Sequence, residues 1–160
     1  MTIKDMFDNA LSFCCEKFNL INKSQILELL YQGDNWTHST FRYGLAKQVA
    51  SYLNEIANNS IKAVYVYGTI LEDRASFTSD IDMIVHSNNK SPEFQQAIKN
   101  LDKEILEYYK DLMKGKCEAM GHILDIHIVD DKEIEQKKGY GAVITSLINT
   151  PIRIWIQKEA

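Results

Sequence analysis

The chain is poor in the residues that staple or interrupt a fold: its 160 residues include only three cysteines, two prolines and seven glycines. Cys14 and Cys15 are adjacent and Cys117 stands alone, so no C-x-x-C pair offers a zinc or redox site. All three are expected to be reduced thiols, with Cys14 and Cys117 partly buried. Low-complexity and disordered classes are excluded by the same composition. No apolar run approaches the ~18 residues of a membrane span, and the opening MTIKDMFDNALSF lacks the apolar core of a signal peptide. These absences predict a cytoplasmic protein that meets no membrane. Positive charge is also lacking: the formal net charge is -4, and residues 1–60 hold five basic side chains against six acidic ones. A nucleic-acid backbone is held by a concentrated positive stripe, so nucleic acid is disfavoured as substrate, and a helix-turn-helix reading of residues 24–58 is weak for the same reason.

What is present is an ordinary globular composition, 45% hydrophobic and 25% charged, at a length suited to a single domain over residues 1–160. Residues 1–60 read as helices. Met6, Phe7, Ala10, Leu11, Cys14 and Phe18 recur at helical spacing; SQILELLYQ follows with Ser24 as cap and Gly33 as stop; a third helix is expected from Ser39 or Thr40, its stripe formed by Leu45, Val49, Tyr52, Leu53 and Ile56. From Ile61 the period changes. IKAVYVYG and DIDMIV read as neighbouring strands, residues 92–114 as an amphipathic helix stopped by Gly115, HILDIHIV as a strand, YGAVITSLIN as a helix and PIRIWIQ as an edge strand opened by Pro151. The order predicts an α+β fold: a small mixed sheet flanked by helices in residues 61–160, with an N-terminal helical extension over residues 1–60.

One stretch carries chemistry. In YVYGTILEDRASFTSDIDMIV, residues 65–85, Asp80 and Asp82 lie two apart and so project to one face of a strand that is otherwise apolar. Asp125 is a second isolated acid, inside HILDIHIV. If those strands are neighbours, three carboxylates converge, and such a cluster is stable in ionised form when a hard divalent cation with oxygen ligands holds it. Upstream, Gly68 lets the backbone approach a ligand, while Thr69 opens a short helical turn whose amides and hydroxyl suit phosphate. Ser79 adds a further hydroxyl.

Gly68–Thr69 followed by SDIDMIV at residues 79–85 resembles the signature of the polymerase-beta-like nucleotidyltransferase superfamily: Gly-Ser, a spacer, Asp-x-Asp on a strand and a third acid on a later strand. Threonine stands here for the commoner serine and keeps the hydroxyl. The resemblance spans roughly residues 61–130 and implies the nucleotidyltransferase fold. It implies an enzyme that transfers a nucleoside monophosphate from a nucleoside triphosphate, ATP by expectation, to a hydroxyl of a small molecule or protein, releasing pyrophosphate. It also assigns roles. Asp80 and Asp82 would bridge two Mg2+ ions, or Mn2+; Asp125 would ligate one of them and accept the acceptor's proton; Gly68, Thr69 and Ser79 would hold the phosphates. The alternative is a non-catalytic nucleotide-binding or partner-binding module, antitoxin-like, that keeps the fold. Antibiotic-modifying relatives carry an acceptor-binding domain after the catalytic one. Only about thirty residues follow Asp125 here, so a drug-modifying role would need a homodimer to complete the site.

Around this constellation several residues keep two readings. His127 shares the face of Asp125 and either borders the metal site or hydrogen-bonds locally. Arg74 either steers a phosphate or pairs with Glu72 and Asp73. Arg42, Tyr43 and Lys47 either face the nucleotide or form an exposed helical face. His86, His122 and the Asp130–Asp131 turn are expected to be solvated, and Trp155 to be packing.

Overall fold

Side-chain caps decide where the N-terminal helices begin in the computed structural model, which describes residues 1–19, 22–146 and 151–158. Helix α1, Ile3–Phe18, opens with a capping box between Thr2 and Asp5. Helix α2, Lys23–Tyr31, is capped by Asn22 and not by the expected Ser24, whose hydroxyl donates to the Asn22 side chain at 2.6 Å. Helix α3, Asn35–Ile56, starts earlier than Ser39 or Thr40. The Asp34 carboxylate accepts from the Thr37 N–H at 3.0 Å, and Gly33, at φ +77°, makes the turn that puts Asp34 there. The polar run Thr37–Ser39, where the helix is expected to start, is fully inside it and buried because each residue finds a bond.

The sheet follows. Strands β1, Ile61–Tyr67, and β2, Ile81–Ser87, are antiparallel; the crossover helix α4, Pro92–Met113, returns the chain so that β3, Leu124–Val129, lies parallel to β2. Two short helices, α5 (Asp131–Glu135) and α6 (Tyr140–Ile144), precede β4, Ile152–Ile156, which pairs antiparallel with β1 as the expected edge strand. The order is β3-β2-β1-β4, a small mixed sheet flanked by helices, as the pattern predicts. The expected last helix is described only to Ser146; its remainder lies outside the described residues.

One sheet face, with Val64, Val66, Ile81, Met83 and Val85, joins Phe7, Phe41, Leu45, Val49, Leu53, Ile105 and Tyr109 in a continuous core. Each such fully buried aliphatic or aromatic side chain stabilises the fold by about 1.5–3 kcal/mol. Cys14 and Cys117 are both buried there, and burial pushes the Cys14 thiol up to about 12. Trp155 packs against the same core. No helix among the described residues is long and apolar enough to cross a membrane.

Asp131 keeps half of its side chain exposed, as the solvated turn predicts, and both acids of the turn also make bonds. Asp130 caps α5, and Asp131 is bound by Lys62 Nζ at 2.6 Å, His86 Nε2 at 2.6 Å and Asn88 Nδ2 at 2.9 Å, which holds its carboxyl well below the usual carboxylate range. The pair is the clip that ties α5 to the sheet, and His86 is part of it.

Helices α1 and α3 pack tightly at Gly44, where an added Cβ would lie 2.9 Å from Phe13 Cδ1 and 3.3 Å from Ala10 Cα. Gly44→Val is therefore expected to destabilise the fold by about 1–3 kcal/mol through overpacking, read as a lowered urea midpoint. An unchanged midpoint would contradict this close approach.

Candidate active site

Strand register builds the site. In the parallel β2–β3 pair, Asp82 and Asp125 are direct partners, so their side chains stand side by side on the face opposite the helical core. Asp80 sits immediately before β2, two residues from Asp82 and on the same side. The three carboxylates, each partly exposed, offer one oxygen apiece within 4.8 Å of one another. Among the described residues no lysine or arginine pairs with them; the basic side chains beside them are two imidazoles, His122 Nδ1 at 4.0 Å from Asp80 and His127 Nε2 at 3.0 Å from Asp125. Burial, then Asp80, then Asp125 push the Asp82 carboxyl up to about 7. An all-oxygen set of three carboxylates that lacks a protein cation fits a hard divalent ion.

Gly68 closes against this cluster. Its φ is +87°, and a Cβ there would lie 2.5 Å from Asp82 Oδ2, so both conformation and space demand glycine. Thr69 then opens a 3-10 turn, Thr69–Glu72. Thr69, Ser79, Asp80 and His122 line one open cleft of about 440 Å³. The Ser79 hydroxyl accepts from the Ser76 N–H at 2.9 Å, which leaves its own proton to donate. All six residues singled out from the sequence are thus gathered: Asp80, Asp82 and Asp125 as a cluster, Gly68 against Asp82, and Thr69 and Ser79 beside Asp80.

The structure also names supports that sequence patterns miss. Arg42 does not face the nucleotide cleft; it is fully buried in α3, where Nε donates to Ser79 O at 2.8 Å and Nη2 to Phe77 O at 3.2 Å and Tyr109 Oη at 2.7 Å. Its Nη1 meets His38 Nδ1 at 3.1 Å. His38 Nε2 lies 2.8 Å from the Leu30 carbonyl, which can only accept, so Nδ1 is the bare nitrogen that takes the Arg42 proton. Burial and the Arg42 charge hold this imidazole neutral, down to about 4. Ser39 accepts from the Ala75 N–H at 3.0 Å, so α3 fastens both ends of the segment that leads into Asp80. Asp102 of α4 does the same for β3, accepting the Ile123 and Leu124 N–H groups at 2.9 and 2.7 Å. A mid-helix arginine or aspartate in an otherwise polar stretch carries no sequence signal that separates it from a solvated one.

The remaining two-sided residues resolve. His127 Nε2 lies 3.0 Å from Asp125 Oδ1, and its ring stacks on Tyr140 with centroids 3.6 Å apart. Arg74 pairs with Glu72. Lys47 lies over the Phe13 and Tyr43 rings, 5.2 and 5.4 Å from their centroids, which makes that face of α3 an aromatic and cationic surface and not part of the carboxylate cluster. His122, expected to be merely solvated, is exposed but borders Asp80.

Two outcomes are expected. Arg42→Met leaves the Ser79 carbonyl without its donor, and the Phe77 carbonyl with the Tyr109 hydroxyl alone, and should cost about 1–3 kcal/mol in denaturant melts. The raised Asp82 value fixes the sign of a pH effect. Below the ordinary carboxylate value of 3.8 both folded and unfolded states hold the proton; as pH rises towards about 7 only the folded state keeps it, and the carboxylate then ionises at a cost. Metal-free stability should therefore fall from about pH 4 to about pH 7 relative to Asp82→Asn, while a divalent cation held by the cluster should stabilise increasingly over the same window because carboxylates ligate in their deprotonated form. Matching pH–melting curves for wild type and Asp82→Asn would contradict this.

Comparison with curated proteins gives no match, and comparison with solved structures gives none either. The family model described as polymerase beta, nucleotidyltransferase, matches residues 47–146, a span that holds the Gly68–Thr69 turn and all three carboxylates. That span is more than half of the chain, and its motifs stand where the fold brings them together: the chain belongs to the polymerase beta nucleotidyltransferase family.

Proposed function

We propose that this protein transfers a nucleoside monophosphate, AMP from ATP, to a hydroxyl of an acceptor, with release of pyrophosphate. The observation that carries this reading is the convergence of Asp80, Asp82 and Asp125 beside the Gly68–Thr69 turn. Family membership supports a transferase at that level. Asp80, Asp82 and Asp125 are the residues that would hold divalent ions, Mg2+ by the hardness of the oxygen set. When bound, such ions neutralise triphosphate charge and make the acceptor hydroxyl more acidic.

The chain's own groups supply the rest. The Thr69 and Ser79 hydroxyls and the amides of the turn donate to phosphate oxygens in the cleft they line. Arg42, through Ser79 and Phe77, keeps the segment before Asp80 from shifting as charge moves. Asp125, at the acceptor side, takes the hydroxyl proton as the oxygen bonds to the α-phosphorus and the bond to the β-phosphate oxygen breaks. His127 Nε2 lies 3.0 Å from the same carboxylate and would limit its rotation.

The test is calorimetric titration of ATP, GTP, CTP and UTP with and without Mg2+. ATP is expected to bind only with Mg2+, and Asp82→Asn should weaken it at least about tenfold, the equivalent of ~1.4 kcal/mol. Asp125→Asn should keep nucleotide binding within a few-fold while pyrophosphate release falls by about two to four orders of magnitude, the usual contribution of a general base. Unaltered turnover in Asp125→Asn, or nucleotide binding indifferent to Mg2+ and to Asp82, would overturn the reading.

A further inference from the structure

A second cleft, of about 310 Å³, opens along the side of β3 that pairs with no other strand. Its floor is Ile98, Ile126 and Ile128, one wall is the stacked His127–Tyr140 pair, and its rim carries Lys90 and Lys99. No carboxylate lines it. The volume lies at the small end of small-molecule sites, roughly 300–1,000 Å³.

Position ties this cleft to the carboxylates. His127 belongs to both, since its Nε2 rests 3.0 Å from Asp125 Oδ1. Along the chain, the cleft with Thr69, Ser79 and Asp80 uses Gly121 and His122 before β3, and the second cleft uses Ile126–Ile128 beyond Asp125. Asp125 therefore stands between them. Displacement at phosphorus places attacking and leaving oxygens in line on opposite sides, so a triphosphate in the first cleft leaves the second for the attacking molecule.

Its chemistry narrows what that molecule is. Lys90 is neutralised by Glu133 and by Asp130 at 3.4 Å. Lys99 is exposed and has no anionic partner among the described residues, so its ammonium is the uncompensated charge at the rim. Tyr140, 38% exposed, lines the cleft together with the isoleucines, one face of its ring covered by His127. We propose that this cleft is the acceptor site and takes a small hydroxyl compound with an aromatic or apolar body and an anionic group: the body packs on Tyr140 and the isoleucines, and the anion meets Lys99. An acceptor rich in amino groups is disfavoured by the Lys99 charge. The proposal rests on the nucleotidyl-transfer reading above.

Two probes that share a phenol and differ in charge, 4-hydroxybenzoate and tyramine, test it. They are titrated into the full 15N-labelled chain with Mg2+ and followed by amide shifts, while Mg-ATP affinity is measured separately by calorimetry. 4-Hydroxybenzoate is expected to move the Ile126, His127, Ile128 and Tyr140 amides, and tyramine to bind more weakly. Lys99→Glu should weaken 4-hydroxybenzoate by about fivefold or more and narrow the gap to tyramine, with Mg-ATP affinity unchanged. Shifts elsewhere, no shifts, or equal binding of the two probes would overturn the acceptor class and leave the transfer reading intact. Loss of Mg-ATP binding in the wild type would instead bring down the transfer reading, and the acceptor role with it.

Discussion

The pairing of Asp82 with Asp125 across two parallel strands is the constraint to which the surrounding structure answers. Side-by-side carboxylates on adjacent strands repel, and Asp80 adds a third acid to the pair. Among the described residues the fold meets this with no lysine or arginine. It leaves the group partly exposed, pushes Asp82 towards its neutral form, and strips the facing residue, Gly68, of the atom that would collide with Asp82. Such a cluster is poorly suited to stabilising a protein and well suited to gripping a divalent cation. The parallel pairing needs a long crossover, and α4 provides it while its Asp102 pins the backbone at the start of β3.

The helices ahead of the sheet are part of the same construction. Arg42 is a buried cation without a carboxylate partner, held by backbone carbonyls, a neutral histidine and the Tyr109 hydroxyl. Burying it is costly unless each donor is satisfied, which explains why His38 is kept uncharged and why Tyr109 also donates to Phe77 O at 2.6 Å. The network converts the packing of α3 and α4 into a fixed position for Ser79 and hence for Asp80. Arg42 lies just before the span matched by the family, so this support belongs to the N-terminal helical part and not to the shared motif.

Much of this was legible from the sequence because it is local. Alternating Asp80 and Asp82 in an apolar strand, a Gly-Thr turn at the right interval and an isolated Asp125 are patterns of neighbours, and the heptad-like stripes of α1 and α4 follow from helical period alone. Helix starts were less legible. Asn22 and Ser24 are both competent caps, and only the path of the chain past Gly33 makes Asp34 the cap of α3. The bonds of the exposed Asp131 were not legible because its partners, Lys62, His86 and Asn88, come from β1 and the end of β2.

By itself the sequence determined the elements, the family resemblance and the identity of the clustered acids, since each rests on residue type at short range. Tertiary structure alone decided that β3 runs beside β2 in a register that sets Asp125 against Asp82, that Arg42 turns inward to hold Ser79, and that His127 and Tyr140 wall a second cleft. The reason is physical: register, burial of a charge and the walls of a cleft depend on contacts between segments far apart in the chain, and no local pattern encodes which distant partner a side chain will meet.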